Sequence, residues 1–164
     1  MTTQEITHKD LVKKAAAWLK DTEGMTIVVA ELTTAQTETP DCIGFGRGGH
    51  SVLVECKISR SDFLSDKNKH FRRCPEHGMG TARYFMVPKG MVSKEELPES
   101  WGLVEVTRYE GKRKYFTARK IVEATNNTCN KQAEVGFLTS VIRRLELSTC
   151  VYVRQEEVTN ETNS

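Results

Sequence analysis

Glu55 and Lys57 stand two positions apart in the apolar segment SVLVECKI, residues 51–58. This segment predicts a β-strand because it is short, apolar and rich in β-branched residues. Side chains of a strand alternate between the two faces of the sheet, so Glu55 and Lys57 share one face. A carboxylate and an ammonium on a buried face are costly unless they pair or bind an ion. This pair is therefore the first candidate for chemistry.

A second carboxylate, Asp41, stands at the start of a predicted neighbouring strand, residues 40–45. A glycine-rich turn at residues 46–50 would join the two strands into a hairpin. If the pairing is symmetric about Gly48, Asp41 lies opposite Glu55, because each stands seven positions from that residue. The hairpin therefore predicts two carboxylates and one ammonium at the same place.

Two converging carboxylates suit a hard divalent cation, Mg²⁺ or Mn²⁺, which prefers oxygen ligands. Such an ion can acidify a bound water and neutralise charge on a phosphate. Lys57 could then orient the water or stabilise the transition state. The alternative from spacing alone is a buried ion pair between Glu55 and Lys57, with Asp41 only capping a turn.

The same residues carry a family resemblance. Pro40-Asp41, followed fourteen positions later by Glu55-Cys56-Lys57, resembles the PD-(D/E)XK signature of restriction-endonuclease-like nucleases. Cys56 stands at the variable position of that signature, and it faces away from the pair on either side of it.

A longer motif narrows the resemblance. The run ECKISRSDF at residues 55–63, with Asp66 and Lys67 after it and YFMVP at residues 84–88, is similar to the MmcB-like DNA-repair and phage-type branch of that superfamily. In that branch an ExK strand leads into an S-x-x-D-F-x-x-D-K helix and then a Y-F-x-x-P strand. The resemblance spans roughly residues 25–109.

The resemblance implies a restriction-endonuclease-like fold and Mg²⁺- or Mn²⁺-dependent hydrolysis of DNA, in repair or in phage DNA metabolism. It implies Asp41 and Glu55 as metal ligands and Lys57 as the catalytic lysine. A protein that keeps this fold and binds nucleic acid without cleaving it is the alternative, because a fold by itself does not establish turnover.

Further site residues follow from the same resemblance. Glu31, at the end of the first predicted strand, is implied as an additional acidic metal ligand, and Glu38 competes with it for that role. Lys67 is implied as an auxiliary polar catalytic residue from the helix. Ser59 and Asp62 resemble a capping box, which accounts for Asp62 without a catalytic role.

The remaining elements follow from periodicity and turn residues. They are a helix at 9–21, strands at 25–32 and 82–87, a helix from 59 to about 73, strands at 102–109 and 114–122, and a helix at 135–147. The order predicts an α/β fold with a mixed sheet, an αβββαβ core and an additional C-terminal hairpin and helix. Residues 1–154 are expected to form a single domain, and residues 155–164 a polar tail.

The net charge of +2 gives no global field that would attract nucleic acid. Basic residues nevertheless cluster, and they are candidates for contacts with the DNA backbone: Arg60, Lys69, Arg72, Arg73, Lys112, Arg113 and Lys114. DNA is the expected partner, with RNA as an alternative, and cleavage of a duplex would favour a homodimer.

The run GFGRGG at residues 44–49 matches the dinucleotide pattern G-x-G-x-x-G, but a strand rather than a helix is expected after it, so a hairpin turn is the better interpretation. Cys74 and His77 lack a second pair of zinc ligands nearby, and His70 looks isolated. Five cysteines, an odd number, favour reduced thiols and a cytoplasmic protein. The family resemblance implies that this is the cytoplasm of a bacterial host, with a bacterial or phage gene. No apolar run is long enough to predict a membrane span.

Overall fold

The computed structural model describes residues 6–33, 38–66, 69–111 and 115–145. Some predicted features lie outside this part of the chain, namely Lys67, Lys112, Arg113, Lys114 and the tail at 155–164.

Four helices and six strands make up the described structure. In chain order they are α1 (His8–Asp21), β1 (Ile27–Ala30), β2 (Cys42–Phe45), β3 (Ser51–Cys56), α2 (Arg60–Asp66), α3 (His70–Arg73), β4 (Ala82–Pro88), β5 (Gly102–Tyr109), β6 (Tyr115–Val122) and α4 (Lys131–Arg144). The strands form one sheet in the order β1-β2-β3-β4-β5-β6. Pairing is parallel for β3–β4 and β4–β5 and antiparallel for the other pairs. The predicted mixed α/β fold is confirmed.

Helix α1 covers one face of the sheet. Thr7 caps it: its Oγ1 accepts from the Asp10 amide at 3.2 Å, and the Asp10 carboxylate accepts from the Thr7 amide at 3.0 Å. The buried face of α1 packs on alternate residues of β3 and β4, and Trp18 contacts Tyr84 edge to face at 5.1 Å between ring centroids. The opposite face of β3, which includes Leu53, is covered by side chains of α2 and α4.

The β2–β3 hairpin has the register that the sequence predicts. Cys42 pairs with Val54 and Phe45 with Ser51, so the pairing is symmetric about Gly48. Gly48 and Gly49 have φ angles of 64° and 76°, which side chains rarely tolerate, and they turn the chain in a single 3₁₀ turn. Strand β3 follows directly, so the helix that a dinucleotide site needs is missing and the hairpin interpretation is confirmed.

Several predicted elements differ at their bounds or in their burial. Strand β2 begins at Cys42 rather than at residue 40, and β3 ends at Cys56 rather than at residue 58. Residues 25–32 were expected to form a buried strand, but β1 is an edge strand of four residues with Ile27 47% exposed. An edge strand has only one neighbour, so an apolar run need not be enclosed. Helix α4 begins at Lys131 rather than at 135, because the Asn130 side chain accepts from the Ala133 amide at 2.9 Å and starts the helix earlier.

The prediction of one helix from 59 to about 73 is wrong. The Ser59 hydroxyl does accept from the Asp62 amide, at 3.2 Å, so the predicted cap is present. The chain then leaves the helix, and Lys69 is extended, with φ −64° and ψ 141°. This break allows the side chains of Lys69 and Arg72 to reach back to the buried carboxylate of Asp66.

The cysteines that the structure describes are free thiols: Cys42, Cys56, Cys74 and Cys129. Burial raises the pKa of Cys42 to about 12, so this thiol stays protonated and is a weak nucleophile. In the described ranges no helix is long and apolar enough to cross a bilayer.

Glu134 connects α4 to the sheet. Its carboxylate, 4% exposed, accepts from the Ser51 hydroxyl at 2.6 Å, the Gly80 amide at 2.9 Å and the Lys131 ammonium at 2.8 Å. Burial by itself would raise the pKa of Glu134, but these donors outweigh it and lower that pKa below its ordinary value of 4.5.

We expect Glu134→Gln to lower the free energy of unfolding by about 1–3 kcal/mol at neutral pH, since a charged acceptor of three buried bonds is lost. A depressed pKa stabilises the fold above the unfolded value, and this contribution disappears as pH falls through the folded value. The difference between wild type and variant should therefore narrow below about pH 4.5. Denaturant unfolding across pH measures it, with exposed Glu95→Gln as the control. A difference that stays constant down to acid pH would contradict this role.

Candidate active site

The C-terminal end of β3 carries the predicted pair. Lys57 Nζ lies 3.1 Å from Glu55 Oε2 and 3.3 Å from Asp66 Oδ1, so the ammonium bridges the strand and α2. Glu55 is 3% exposed and Asp66 is 2% exposed. The two carboxylates are therefore withdrawn from water, and they depend on nearby cations for their charge balance.

The segment after α2 supplies two further cations. Arg72 Nε lies 2.6 Å from Asp66 Oδ2, and Lys69 Nζ lies 2.6 Å from Asp66 Oδ1. The Arg72 guanidinium also lies 4.3 Å from the centre of the Trp101 ring, a cation–π contact that holds its plane. The Arg72 side chain is only 3% exposed. The Arg72 side chain thus belongs to the buried cluster that borders the cleft, and it is not part of an exposed basic surface.

Glu38 completes the cluster from the connection between β1 and β2. Its Oε2 accepts from the Met79 amide at 2.5 Å. Its Oε1 lies 3.6 Å from Arg72 Nη1, and Arg72 Nη2 lies 3.7 Å from Glu55 Oε1. Both separations exceed hydrogen-bond length. Glu38 Oε1 and both Nη atoms are buried without a hydrogen-bond partner in the described part of the chain.

These atoms border a cleft of about 200 Å³, lined by Glu38, Thr39, Glu55, Lys69, Phe71 and Arg72. Buried polar groups normally have hydrogen-bond partners, so the wall of this cleft has capacity for a polar ligand. The donor set mixes carboxylate oxygens with an ammonium and a guanidinium. A divalent cation fits the oxygens and a phosphate fits the two cationic groups.

Asp41 lies beside this cluster. Continuing the β2–β3 register places it opposite Glu55. Its Oδ2 accepts from the Cys56 amide at 2.8 Å, and its Oδ1 lies 3.4 Å from His8 Nε2. The carboxylate is close enough to raise the pKa of Glu55 through repulsion. Asp41 is therefore a neighbour of Glu55, and its carboxylate binds an amide across the hairpin rather than capping a turn.

The pKa shifts follow from burial and neighbouring charge. Burial raises the pKa of Glu55 and of Glu38, and the nearby cations only partly oppose it. Burial would lower the pKa of Lys57, but the carboxylates of Glu55 and Asp66 outweigh it and raise that pKa. Lys57 therefore stays protonated, while Glu55 keeps its charge best when a cation is next to it.

Other predicted site residues lie apart from the cleft. Glu31 is exposed, and its backbone amide donates to the Asp41 carbonyl at 3.0 Å. It is Glu38, the competing carboxylate, that lines the cleft. Arg60 forms a paired contact with Glu96, at 2.6 and 3.1 Å, and Arg73 is exposed on α3. Lys69 remains half-exposed at the rim of the cleft.

Sequence reasoning did not find the ion-pairing role of Asp66. The signal available was its place as the last acidic residue of the predicted amphipathic segment, with Phe63 one turn earlier. Residues three apart share a helix face, so a buried Phe63 implies that Asp66 also points inward. A carboxylate on an inward face calls for cations from elsewhere in the fold.

Comparison with known proteins gives the fold alone. No protein-family model matches the chain, and no curated protein sequence matches it. A solved structure, described as the SPO1766 protein of unknown function from Silicibacter pomeroyi, is similar with a TM-score of 0.62 and 23% identity. The match covers 89% of this chain and 92% of that one. The two chains therefore share an architecture over nearly their whole lengths.

The buried cluster predicts a large stability effect for Arg72. Arg72→Met keeps the apolar contact with Trp101 but leaves Asp66 short of a cation, so we expect a loss of about 3–5 kcal/mol. Denaturant unfolding measures it, with Arg119→Met on an exposed position of β6 as the matched control. In the double variant with Asp66→Asn, the loss of unfolding free energy should be smaller than the sum of the losses in the two single variants. Simple additivity would mean that Arg72 and Asp66 are not coupled.

Proposed function

We propose that this chain is a divalent-metal-dependent nuclease that hydrolyses DNA phosphodiester bonds. The observation that carries the proposal is the cleft beside β3, where Glu38 and Glu55 face Lys69 and Arg72. Carboxylates next to cations are what a metal ion and a phosphate require together. The resemblance of residues 55–63 to the MmcB-like branch of PD-(D/E)XK nucleases supports the same activity.

Glu55 and Asp41 would hold the metal, as the resemblance implies, and Glu38 rather than Glu31 is the further carboxylate that lines the cleft. The raised pKa of Glu55 and the unpartnered Glu38 Oε1 support this choice, because both oxygens gain from a cation. When bound, Mg²⁺ or Mn²⁺ would supply Lewis acidity toward the phosphate and lower the pKa of a water ligand.

Lys57 acts as a fixed positive charge. Its raised pKa keeps it protonated at neutral pH, so it donates hydrogen bonds rather than accepting a proton. Held between Glu55 and Asp66, its ammonium can orient the attacking water and offset negative charge that develops on the phosphate. Asp66 positions Lys57, since its Oδ1 lies 3.3 Å from the ammonium.

Lys69 and Arg72 serve the substrate. The two Nη atoms of Arg72 form a fork that matches two phosphate oxygens, and neither has a hydrogen-bond partner within the described ranges. Half-exposed Lys69 can meet the phosphate at the rim of the cleft. The DNA backbone farther from the cleft would be contacted by the exposed Arg73 and by Lys112, Arg113 and Lys114, which lie outside the described residues.

The second candidate is a nucleic-acid-binding protein that does not cleave. One observation favours it: two groups of the expected catalytic set already have partners within the protein. Lys57 is paired with Glu55 and Asp66, and the Asp41 carboxylate accepts from the Cys56 amide. A metal would have to displace these contacts. Binding that weakens with salt, without cleavage in Mg²⁺ or Mn²⁺, would support this candidate.

The proposal predicts that purified protein cleaves DNA in Mg²⁺ or Mn²⁺ and that a chelator stops the reaction. Glu55→Gln and Lys57→Met should each lower the rate at least about 100-fold, because each removes a charge that acts on the reacting phosphate. Rates are measured on single-stranded and duplex DNA and on RNA, which also identifies the substrate.

Lys94→Gln and Glu95→Gln are the matched controls, since these residues form an exposed pair at 3.9 Å and lie outside the site. Both should cleave at the wild-type rate. Circular dichroism checks that each variant is folded. Cleavage that survives in folded Glu55→Gln and Lys57→Met would show that the activity comes from elsewhere, and the proposal would be abandoned.

A further inference from the structure

Three potential ligands of a transition metal meet on the surface near α3. His70 begins this helix, Cys74 follows it, and His77 ends the next 3₁₀ turn, Pro75–His77. His70 Nε2, Cys74 Sγ and His77 Nδ1 all lie within 4.8 Å of one another. The sequence predicts that His70 is isolated from other metal ligands, and this prediction is wrong.

The local backbone explains why the three side chains converge. The Cys74 amide donates to the His70 carbonyl at 3.0 Å, and the His77 amide donates to the Cys74 carbonyl at 3.0 Å. The chain therefore stays nearly helical from one ligand to the next. Spacings of four and three residues place side chains on the same side of a helical path, so the pattern H-x-x-x-C-x-x-H was a signal available in the sequence.

The two imidazoles are already in contact. His70 Nε2 and His77 Nδ1 are 2.8 Å apart, and the rings are stacked with centroids 5.1 Å apart. At this distance one nitrogen must accept a hydrogen bond, so at least one ring is neutral, the form that binds metals. Around tetrahedral zinc, neighbouring nitrogens lie about 3.3 Å apart. To bind one ion, the two nitrogens would need to separate by about half an ångström, and the rings would need to turn so that both lone pairs point at the metal.

We propose that His70, Cys74 and His77 form a Zn²⁺ site that is separate from the oxygen-lined cleft. A thiolate and two imidazoles are borderline-soft ligands that suit zinc and are poor ligands for Mg²⁺. Both histidines are exposed and Cys74 is half-buried, so water can reach the ion and complete four-coordination. The site holds one ion with three protein ligands and one solvent ligand.

The segment that carries the three ligands, residues 69–77, also forms a wall of the cleft. Lys69 precedes His70, and Arg72 stands between His70 and Cys74. From the inner side, the fully buried Arg83 holds this turn, donating to the Pro75 carbonyl at 2.5 Å. Zinc would hold the outer side, which consists of exposed rings. The ion therefore acts as a structural clamp that orders the segment carrying Lys69 and Arg72.

Zinc titration of the metal-free protein against a chromophoric chelator tests the site. We expect one tight equivalent, unaffected by excess Mg²⁺. Cys74→Ser and His77→Gln should each weaken binding at least about 100-fold, since even changes next to a ligand cost about 10–100-fold. Co²⁺ in place of zinc should give a thiolate-to-metal charge-transfer band that Cys74→Ser abolishes.

Control variants test whether zinc binds at residues outside the cluster of His70, Cys74 and His77. His50→Gln and Cys129→Ser change the same residue types outside the cluster, and Glu55→Gln removes a ligand of the cleft. All three should keep the tight equivalent and the Co²⁺ band. Folding of each variant is checked by circular dichroism, and His77→Gln, at an exposed position, gives a second reading if Cys74→Ser is unstable. Zinc affinity unchanged in Cys74→Ser and His77→Gln, or lost in Glu55→Gln, would overturn the proposal.

Discussion

The burial of carboxylates at the end of β3 is the constraint on which the neighbouring structure depends. Glu55 and Asp66 are each at most 3% exposed, and an ionised carboxylate without a partner at such a site costs several kcal/mol. Cations must therefore come from nearby. Lys57 directly follows the last residue of β3, and Arg72 comes from beyond α2. The chain can deliver Arg72 only by leaving the helix after Asp66, so the break between α2 and α3 follows from the charge balance.

This charge balance is close but not complete. Arg72 satisfies Asp66 at 2.6 Å, but its two Nη atoms stay 3.6 and 3.7 Å from Glu38 and Glu55. The Arg72 Cζ also lies 4.3 Å from the centre of the Trp101 ring, and this cation–π contact favours the present position of the guanidinium. A site held in this way is preorganised, because its polar atoms are already fixed before a ligand arrives. The same rigidity accounts for the absence of hydrogen-bond partners at these described atoms.

A short stretch of chain carries two donor sets of different chemistry. Lys69 and Arg72 line the cleft together with the oxygens of Glu38 and Glu55, while His70 and His77 are exposed and Cys74 is half-buried. A hard cation such as Mg²⁺ prefers the carboxylate oxygens, and Zn²⁺ prefers the nitrogen and sulfur ligands. Each proposed site therefore disfavours the ion that is proposed for the other. The two sets of ligands are separated because the side chains of α3 and the following turn point alternately toward the cleft and toward the surface.

The hairpin and its register follow from local rules that the sequence displays. Alternation along β3 puts Glu55 and Lys57 on one face, and the glycine turn then places Asp41 opposite Glu55. The helix and strand order could be predicted for the same reason, since periodicity and turn residues act over short distances.

Only tertiary structure decided which carboxylates and cations complete the site. Glu38 rather than Glu31 lines the cleft because the Met79 amide, far along the chain, binds its carboxylate. Arg72 is buried rather than exposed because Asp66 and Trp101 enclose it. Contacts between residues distant in sequence leave no period or motif, so no local pattern could have shown them.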